Sequence, residues 1–275
     1  MDLTKVIKRA LLYPLNIRIF LLYLIILLIF FVPEAFYTLF IRTPEVAESL
    51  TFIEEIISFV KFILPFVIVS YLVNIFMFGI YVDNASKYYK GGKHSPVIFS
   101  FFEAMSRFVP LLYTFVVLTI LISVPVSVLT ALGVFLRDLT GSNSYFNFLV
   151  IIGNIISIMF LMLFFLSPVI SVLGRKFYFV KQFRYSKELV YRNILWVFLF
   201  LASVIVLVFI LGAISLIPAY VVSYMRLNGI ITFGKFYYVT NIILGVFQRF
   251  VLTYIILFLI EAFVGFYLSV KGSRI

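Results

Sequence analysis

Six long apolar stretches separated by short polar breaks form the main pattern of the chain. A lipid bilayer has a hydrocarbon core about 30 Å thick, and a helix of about 20 apolar residues crosses it. Each of the six stretches is at least that long. They predict membrane spans at residues 18–40, 57–82, 109–135, 146–173, 194–221 and 248–270.

Helix is the conformation that these stretches predict. Lipid offers no hydrogen-bond partner to backbone N–H and C=O groups, so a spanning segment must satisfy them internally or close into a barrel. The alternating pattern of a membrane barrel is absent from the sequence. We therefore expect an all-α, polytopic membrane helical bundle with six transmembrane helices, forming a single integral membrane domain over residues 1–275.

Three spans are preceded by a short, basic, amphipathic segment. These segments are DLTKVIKRALLYP, SPVIFSFFEAMSRFVP and YSKELVYRNILW, and in the second Ser95 and Pro96 suit the start of a helix. Each is followed by one outward and one returning span. The pattern predicts a threefold internal repeat over residues 1–93, 94–180 and 181–275.

Acidic and basic residues recur at helical spacing in two of these segments. Glu103 and Arg107 stand four residues apart, as do Glu188 and Arg192, a spacing that brings side chains together on a helix. In the second segment the apolar residues cover the face opposite the ion pair. These residues are Val97, Phe101, Met105 and Phe108.

Two interpretations of the amphipathic segments remain open. They could be short interfacial helices that lie among the lipid head groups, with the apolar face towards lipid and cations towards phosphate. They could instead be the inner ends of long tilted spans. Pro14 and Pro110 stand between segment and span and favour an elbow, since proline removes a backbone donor and bends a helix.

The distribution of charge predicts the orientation of the chain. The net charge is +11, from 22 lysines and arginines against 11 acidic residues. Most of the cations fall at the two termini and in the loops after spans two and four, which should face the cytoplasm. We expect a multi-pass protein of the cell membrane with the N-terminus and C-terminus both cytoplasmic.

The basic charge also predicts the partners. Positive cytoplasmic loops and attraction to anionic lipid head groups account for it, and nucleic-acid binding is not expected. Membrane lipids are the expected partners, together with a membrane-protein partner or a second copy of the chain. The predicted head-group ligands are Lys87, Lys90, Lys93, Arg107, Arg175, Lys176 and Arg192.

One loop has two interpretations. The glycine-lysine loop KYYKGGKHSP places Tyr88 and Tyr89 beside its lysines, a combination that could hold a lipid phosphate. The simpler interpretation is that the loop sets topology alone.

Catalytic chemistry has little support in the sequence. The chain has no cysteine and one histidine, His94, with no second imidazole to complete a metal site. Asp83 and the other aspartates are predicted at span ends or in loops, and no phosphate-binding, metalloprotease or dinucleotide motif is present. We expect no enzyme, no metal and no cofactor. An enzyme acting on lipid would have to use His94, Lys93 and Tyr89.

Three polar residues are predicted inside the spans: Glu261, Asn74 and Asn154. At about 1.5 Å per residue, Glu261 and Asn74 fall at similar depth near the middle of the membrane, so the two side chains could meet. Asn154 falls closer to the outer face. We expect Glu261 to carry a proton or to bond a partner such as Asn74, a tyrosine or water, because an ionised carboxylate in lipid is costly.

The spacing of small residues predicts which way Glu261 points. Gly265 and Ser269 follow it at four-residue intervals, and such small residues allow another helix to approach closely. Glu261 should therefore face protein, as either a hydrogen-bonding residue that stabilises the bundle or a coupling site for protons or cations. Span five has a comparable stripe of Gly212, Ser215 and Ala219.

One segment carries a family resemblance. Residues 163–201, LFFLSPVISVLGRKFYFVKQFRYSKELVYRNILWVFLFL, resemble a pattern of uncharacterised prokaryotic multi-span membrane proteins, with Pro168, Ser186, Arg192 and Asn193 as landmarks. The segment is also similar to the membrane domain fused to some bacterial glycerophosphodiester phosphodiesterases. The resemblance implies a six-span helical bundle with no assigned chemistry. The chain lacks a phosphodiesterase domain, so that activity is not implied.

Together these features predict a non-enzymatic integral membrane protein that acts through lipid or membrane-protein partners by its basic cytoplasmic segments. The alternative is a small transporter or channel in which Glu261 and Asn74 line a polar pathway.

Overall fold

The computed structural model describes residues 2–36, 57, 60–61, 64–91, 96–174, 179–227 and 235–272. Every element in these ranges is helical. The helices are α1 (Leu3–Leu12), α2 (Ile17–Phe36), α3 (Leu64–Gly91), α4 (Val97–Thr140), α5 (Asn143–Phe164), α6 (Ser167–Leu173), α7 (Lys181–Arg192), α8 (Ile194–Leu227) and α9 (Lys235–Gly272).

The helices confirm a multi-pass helical membrane protein. Within the described ranges, α3, α4, α5 with α6, α8 and α9 give five segments long and apolar enough to cross a bilayer. The bent pair of α1 and α2 raises the number to six. Many large apolar side chains on these helices are exposed, as expected of surfaces that face lipid.

The predicted elbow at Pro14 is confirmed. The carboxylate of Asp2 accepts a hydrogen bond from the Lys5 N–H at 3.0 Å and starts α1. A short 3₁₀ turn, Tyr13–Leu15, contains Pro14, and the amide oxygen of Asn16 then caps α2 by accepting from the N–H of Arg18 at 3.2 Å. The two helices meet at 68°.

The predicted elbow at Pro110 is wrong. α4 continues through Pro110 and Pro125 for 44 residues, or about 66 Å. Pro110 lacks the N–H that would bond the carbonyl of Ser106 four residues earlier, and membrane helices tolerate a loss of this kind. The second amphipathic segment is therefore the end of a long span. Ser95 lies outside the described residues, and Pro96 occupies the N-cap position.

The two faces of this segment also differ from the expected arrangement. Ser100 and Ala104 are buried, and the side chain of Arg107 is only 18% exposed. Phe101 and Met105 on the opposite face are exposed. The side of the helix with Ser100 and Ala104 therefore packs against protein, where Gly79 of α3 approaches Ala104, whereas Glu103 stays exposed.

The structure divides into two compact units, each built from separate stretches of the chain. The first unit comprises Phe78–Phe200 and Phe263–Ile275, and the second comprises Asp2–Met77 and Leu201–Ala262. Helices α3, α8 and α9 contribute residues to both. The single domain and the threefold repeat stay predictions.

Close helix contacts at glycines hold the first unit together. A Cβ at Gly79 would lie 3.1 Å from a side-chain atom of Leu111 on α4 and 3.2 Å from the Cβ of Ala104. On α5, a Cβ at Gly153 would lie 3.1 Å from the Val126 Cα. Such contacts are typical of membrane helices, which gain stability from close van der Waals packing.

Candidate functional site

Helix α7 combines a buried polar face with an exposed basic face. Its buried residues are Gln182, Ser186, Leu189 and Val190. The amide of Gln182 donates to Oγ1 of Thr114 on α4, and the hydroxyl of Ser186 donates to the Leu163 carbonyl on α5 at 2.9 Å. Because both bonds join α7 to other helices of the first unit, they fix its rotation about its own axis.

The opposite face of α7 is cationic, and its exposed basic residues are Lys181, Arg184, Lys187 and Arg192. The Arg184 side chain is 80% exposed. The one acidic residue on this helix is Glu188, whose carboxylate lies 3.3 Å from Nε of Arg184. The expected pairing of Glu188 with Arg192 is therefore replaced by pairing with Arg184. The exposed face keeps a net charge of about +3, a surface suited to phosphate groups.

The seven predicted head-group ligands fall into three classes. Lys90 and Arg192 are exposed. Lys87 pairs with Asp83 at 2.5 Å, and Arg107 pairs with Glu103 at 3.5 Å, so both cations already have an acidic partner. Lys93, Arg175 and Lys176 lie outside the described residues.

Sequence reasoning missed three of the α7 cations. Lys181, Arg184 and Lys187 lie outside the basic loops and outside the Glu188 to Arg192 spacing, the two patterns that predict ligands in this region. A helical projection of α7 separates its two faces and would have identified these cations. It places Gln182, Ser186, Leu189 and Val190 together and leaves the cations on the other face.

A second basic helix, α1, belongs to the second unit. Val6, Ala10 and Tyr13 are buried, whereas Lys5 and Lys8 are exposed. The hydroxyl of Tyr254 on α9 donates to the Leu11 carbonyl of α1 at 2.8 Å. This bond fixes α1 against α9.

Glu261 is buried, in agreement with the direction predicted by the Gly265 and Ser269 stripe. Its side chain is 1% exposed, and neither carboxylate oxygen has a hydrogen-bond partner among the described residues. Arg9 of α1 interacts with it electrostatically. Arg9 lies beside the buried face of α1 and is itself half-buried. Arg9 of the basic helix α1 thus supplies a counter-charge to a buried carboxyl group that has no hydrogen-bond partner among the described residues.

Asn74 does not bond Glu261, which corrects the expected partnership. Oδ1 of Asn74 accepts a hydrogen bond from the Tyr23 hydroxyl on α2 at 3.0 Å. Its Nδ2 donates to the Ser70 carbonyl at 2.8 Å. Asn74 therefore joins α3 to α2 and does not contact the Glu261 carboxylate through a hydrogen bond.

Asn154 is exposed, and its Nδ2 donates to the Val150 carbonyl of its own helix at 2.9 Å. The polar group that joins α5 to α4 is instead Ser157, which sequence reasoning missed. Its hydroxyl donates to the Ile122 carbonyl at 2.6 Å, close to Pro125. Gly153 precedes Ser157 by four residues, so the small-residue spacing that identified the face of Glu261 would have identified this face too.

The structure also places two further residues that the sequence singles out. Asp83 is buried, 8% exposed, and begins the polar end of α3, after the apolar part of that helix. Gly212, expected to allow close approach on span five, has open space where a Cβ would stand among the described residues.

The structure gives no support for a metal centre in the ranges it describes. No cluster of three histidine, cysteine, aspartate or glutamate side chains occurs there. Of the three residues that a lipid-directed enzyme would need, Tyr89 is described, whereas His94 and Lys93 lie outside those ranges.

Comparison of the chain with protein-family models, curated proteins and solved structures gives no match.

Proposed function

We propose that this integral membrane protein binds anionic phospholipid head groups at the cytoplasmic surface through the basic face of α7, without catalysing a reaction. The proposal places the N-terminus and C-terminus in the cytoplasm, on the side of the basic segments. One observation carries it. α7 is held by two inter-helix hydrogen bonds while Lys181, Arg184, Lys187 and Arg192 stay exposed.

The size of the attraction is sufficient for selectivity. Each lysine or arginine near an anionic leaflet contributes about 1 kcal/mol. Four cations with one partly neutralising Glu188 therefore contribute about 3 kcal/mol. Because α7 is already anchored to α4 and α5, little conformational entropy is lost when lipid binds.

The single tryptophan of the chain provides the test. Trp196 lies on α8 four residues after the end of α7 and is 39% exposed. The protein is reconstituted in phosphatidylcholine vesicles with increasing brominated phosphatidylglycerol, which quenches tryptophan on contact. We expect stronger quenching of Trp196 than by brominated phosphatidylcholine at equal mole fraction.

The variants separate charge from shape. The variant K181Q/R184Q/K187Q/R192Q should lose this preference, and the charge-retaining control K181R/R184K/K187R/R192K should keep it. Equal quenching of the wild-type protein by the two lipids would overturn the proposal. Undiminished preference in the glutamine variant would overturn it as well.

A second function, proton-linked or cation-linked transport, is favoured by one observation. The carboxylate oxygens of Glu261 are buried without a hydrogen-bond partner in the part of the chain that the structure describes. A group of this kind in a membrane helix is typical of a proton relay. Glu261→Gln should abolish coupled flux in liposomes while lipid association persists, and flux that survives the change would exclude the coupling role.

A further inference from the structure

A groove in the second unit lies along helix α1. Its volume is about 390 Å³, and its lining residues are Leu3, Thr4, Ile7, Lys8, Leu11 and Ser203. The first five lie on α1 at spacings that form one continuous helical face, and Ser203 lies on α8. Small-molecule sites commonly measure 300–1,000 Å³, so the groove is large enough for part of a ligand the size of a lipid.

The lining of the groove is complementary to an amphiphile with a negative head group. Leu3, Ile7 and Leu11 form an apolar strip one helical turn apart, the shape that an extended acyl chain covers. Lys8 and the Thr4 hydroxyl stand beside this strip. None of the ion pairs formed among the described residues includes Lys8, so its charge is available to a phosphate.

The wall of the groove is held in place before any ligand binds. The Leu11 carbonyl accepts a hydrogen bond from the Tyr254 hydroxyl on α9. On the other face of α1, Val6 and Ala10 are buried. A pre-formed wall lowers the entropic cost of binding.

We propose that this groove is a site for one anionic phospholipid, with an acyl chain along Leu3, Ile7 and Leu11 and the phosphate at Lys8. The groove differs from the α7 surface in two ways. It combines one cation with an apolar strip, and it binds a single lipid molecule. It rests on the proposed function in one respect, that anionic lipid is the ligand class.

The groove is tested by titrating the protein in detergent with phosphatidylglycerol and counting the bound lipids by native mass spectrometry. We expect one lipid to bind more tightly than those that follow. Lys8→Gln should raise the Kd of this first lipid about fivefold, the effect of one cation at a membrane surface. Ile7→Trp should fill the groove and abolish binding of the first lipid.

Lys5 provides the matched control, because it is an exposed lysine of the same helix that does not line the groove. Lys5→Gln should leave the first Kd unchanged. Equal effects of the two substitutions would show diffuse surface attraction and overturn the proposal. Competition by inorganic phosphate at matched concentration would indicate a site for a free anion and would also overturn it.

The α7 glutamine variant distinguishes this site from the proposed function. It should leave the Kd of the first lipid unchanged while it removes the lipid preference at Trp196. Loss of the first site in that variant would assign the lipid to α7 and overturn the groove. Equal quenching at Trp196 with an intact first site would overturn only the proposed function.

Discussion

The hydroxyl of Tyr23 donates a hydrogen bond to Oδ1 of Asn74 across 3.0 Å, joining α2 to α3 inside the second unit. Tyr23 is 3% exposed, so a solvent molecule cannot easily take over the hydrogen bond to Asn74 when the hydroxyl is removed. Tyr23→Phe should therefore lower the free energy of unfolding by about 1 kcal/mol, within the range measured for inter-helix hydrogen bonds in membranes.

Titration with sodium dodecyl sulfate in mixed micelles measures this difference. Tyr220→Phe is the matched control, because Tyr220 is 76% exposed. Equal stabilities of the Tyr23→Phe and Tyr220→Phe variants would show that the Tyr23 bond contributes nothing.

Close packing at Gly153 predicts a second pair of outcomes. A Cβ there would lie 3.1 Å from the Val126 Cα and 3.2 Å from the Pro125 carbonyl oxygen, and both are backbone atoms of α4. Gly153→Ala should force α4 and α5 apart and cost about 1–3 kcal/mol, as overpacking does. Thermal unfolding in detergent measures the cost.

Gly212→Ala makes the same chemical change as Gly153→Ala, but we expect the opposite effect on stability. No described atom lies within 4 Å of a Cβ at this position of α8. Gly212→Ala should be neutral or stabilising by up to about 1 kcal/mol, because alanine favours helix over glycine. A loss of stability equal to that of Gly153→Ala would show that the open space at Gly212 is filled in the membrane.

Ser157 and Asn154 lie on the same helix, α5, and their substitutions should differ in their cost to stability. Its hydroxyl bonds the Ile122 carbonyl of α4, whereas the Asn154 amide bonds its own helix. Ser157→Ala should cost about 0.6–1.7 kcal/mol and Asn154→Ala close to zero, since only the first change removes a bond between helices. Urea unfolding in detergent at fixed micelle concentration compares the two, and the reverse order would refute the assignment of the α4–α5 contact to Ser157.

The helices can be predicted from the sequence because the surrounding solvent is lipid. Lipid requires internal hydrogen bonding, so apolar stretches of sufficient length predict helices. The same rule does not predict whether a proline ends a helix. Pro14 stands where Asn16 can cap a new helix, whereas α4 continues through Pro110. The residue two positions after Pro14 is a capping asparagine, whereas leucine stands at both positions after Pro110.

The part of the candidate site that the sequence predicts correctly is the direction of Glu261, which faces protein and is buried. Depth follows from the 1.5 Å rise per residue, but the partner depends on the rotation of each helix, which tertiary packing decides. Asn74 therefore reached Tyr23 instead of Glu261. The side chain of Asn154 satisfies its own backbone, so its exposure costs less than its polarity suggests.

Arg9 and Glu261 predict a thermodynamic coupling between α1 and α9. Their interaction is electrostatic, and Glu261 is buried without a hydrogen-bond partner among the described residues. In a cycle of Arg9→Gln, Glu261→Gln and the double variant, each single change removes the same attraction. The double variant should therefore cost less than the sum of the single variants by about 0.5–3 kcal/mol. Lys8→Gln supplies the control cycle, because this neighbouring cation is exposed. It should be additive with Glu261→Gln to within about 0.5 kcal/mol, and additivity of Arg9→Gln as well would mean that the Arg9 charge does not act on Glu261.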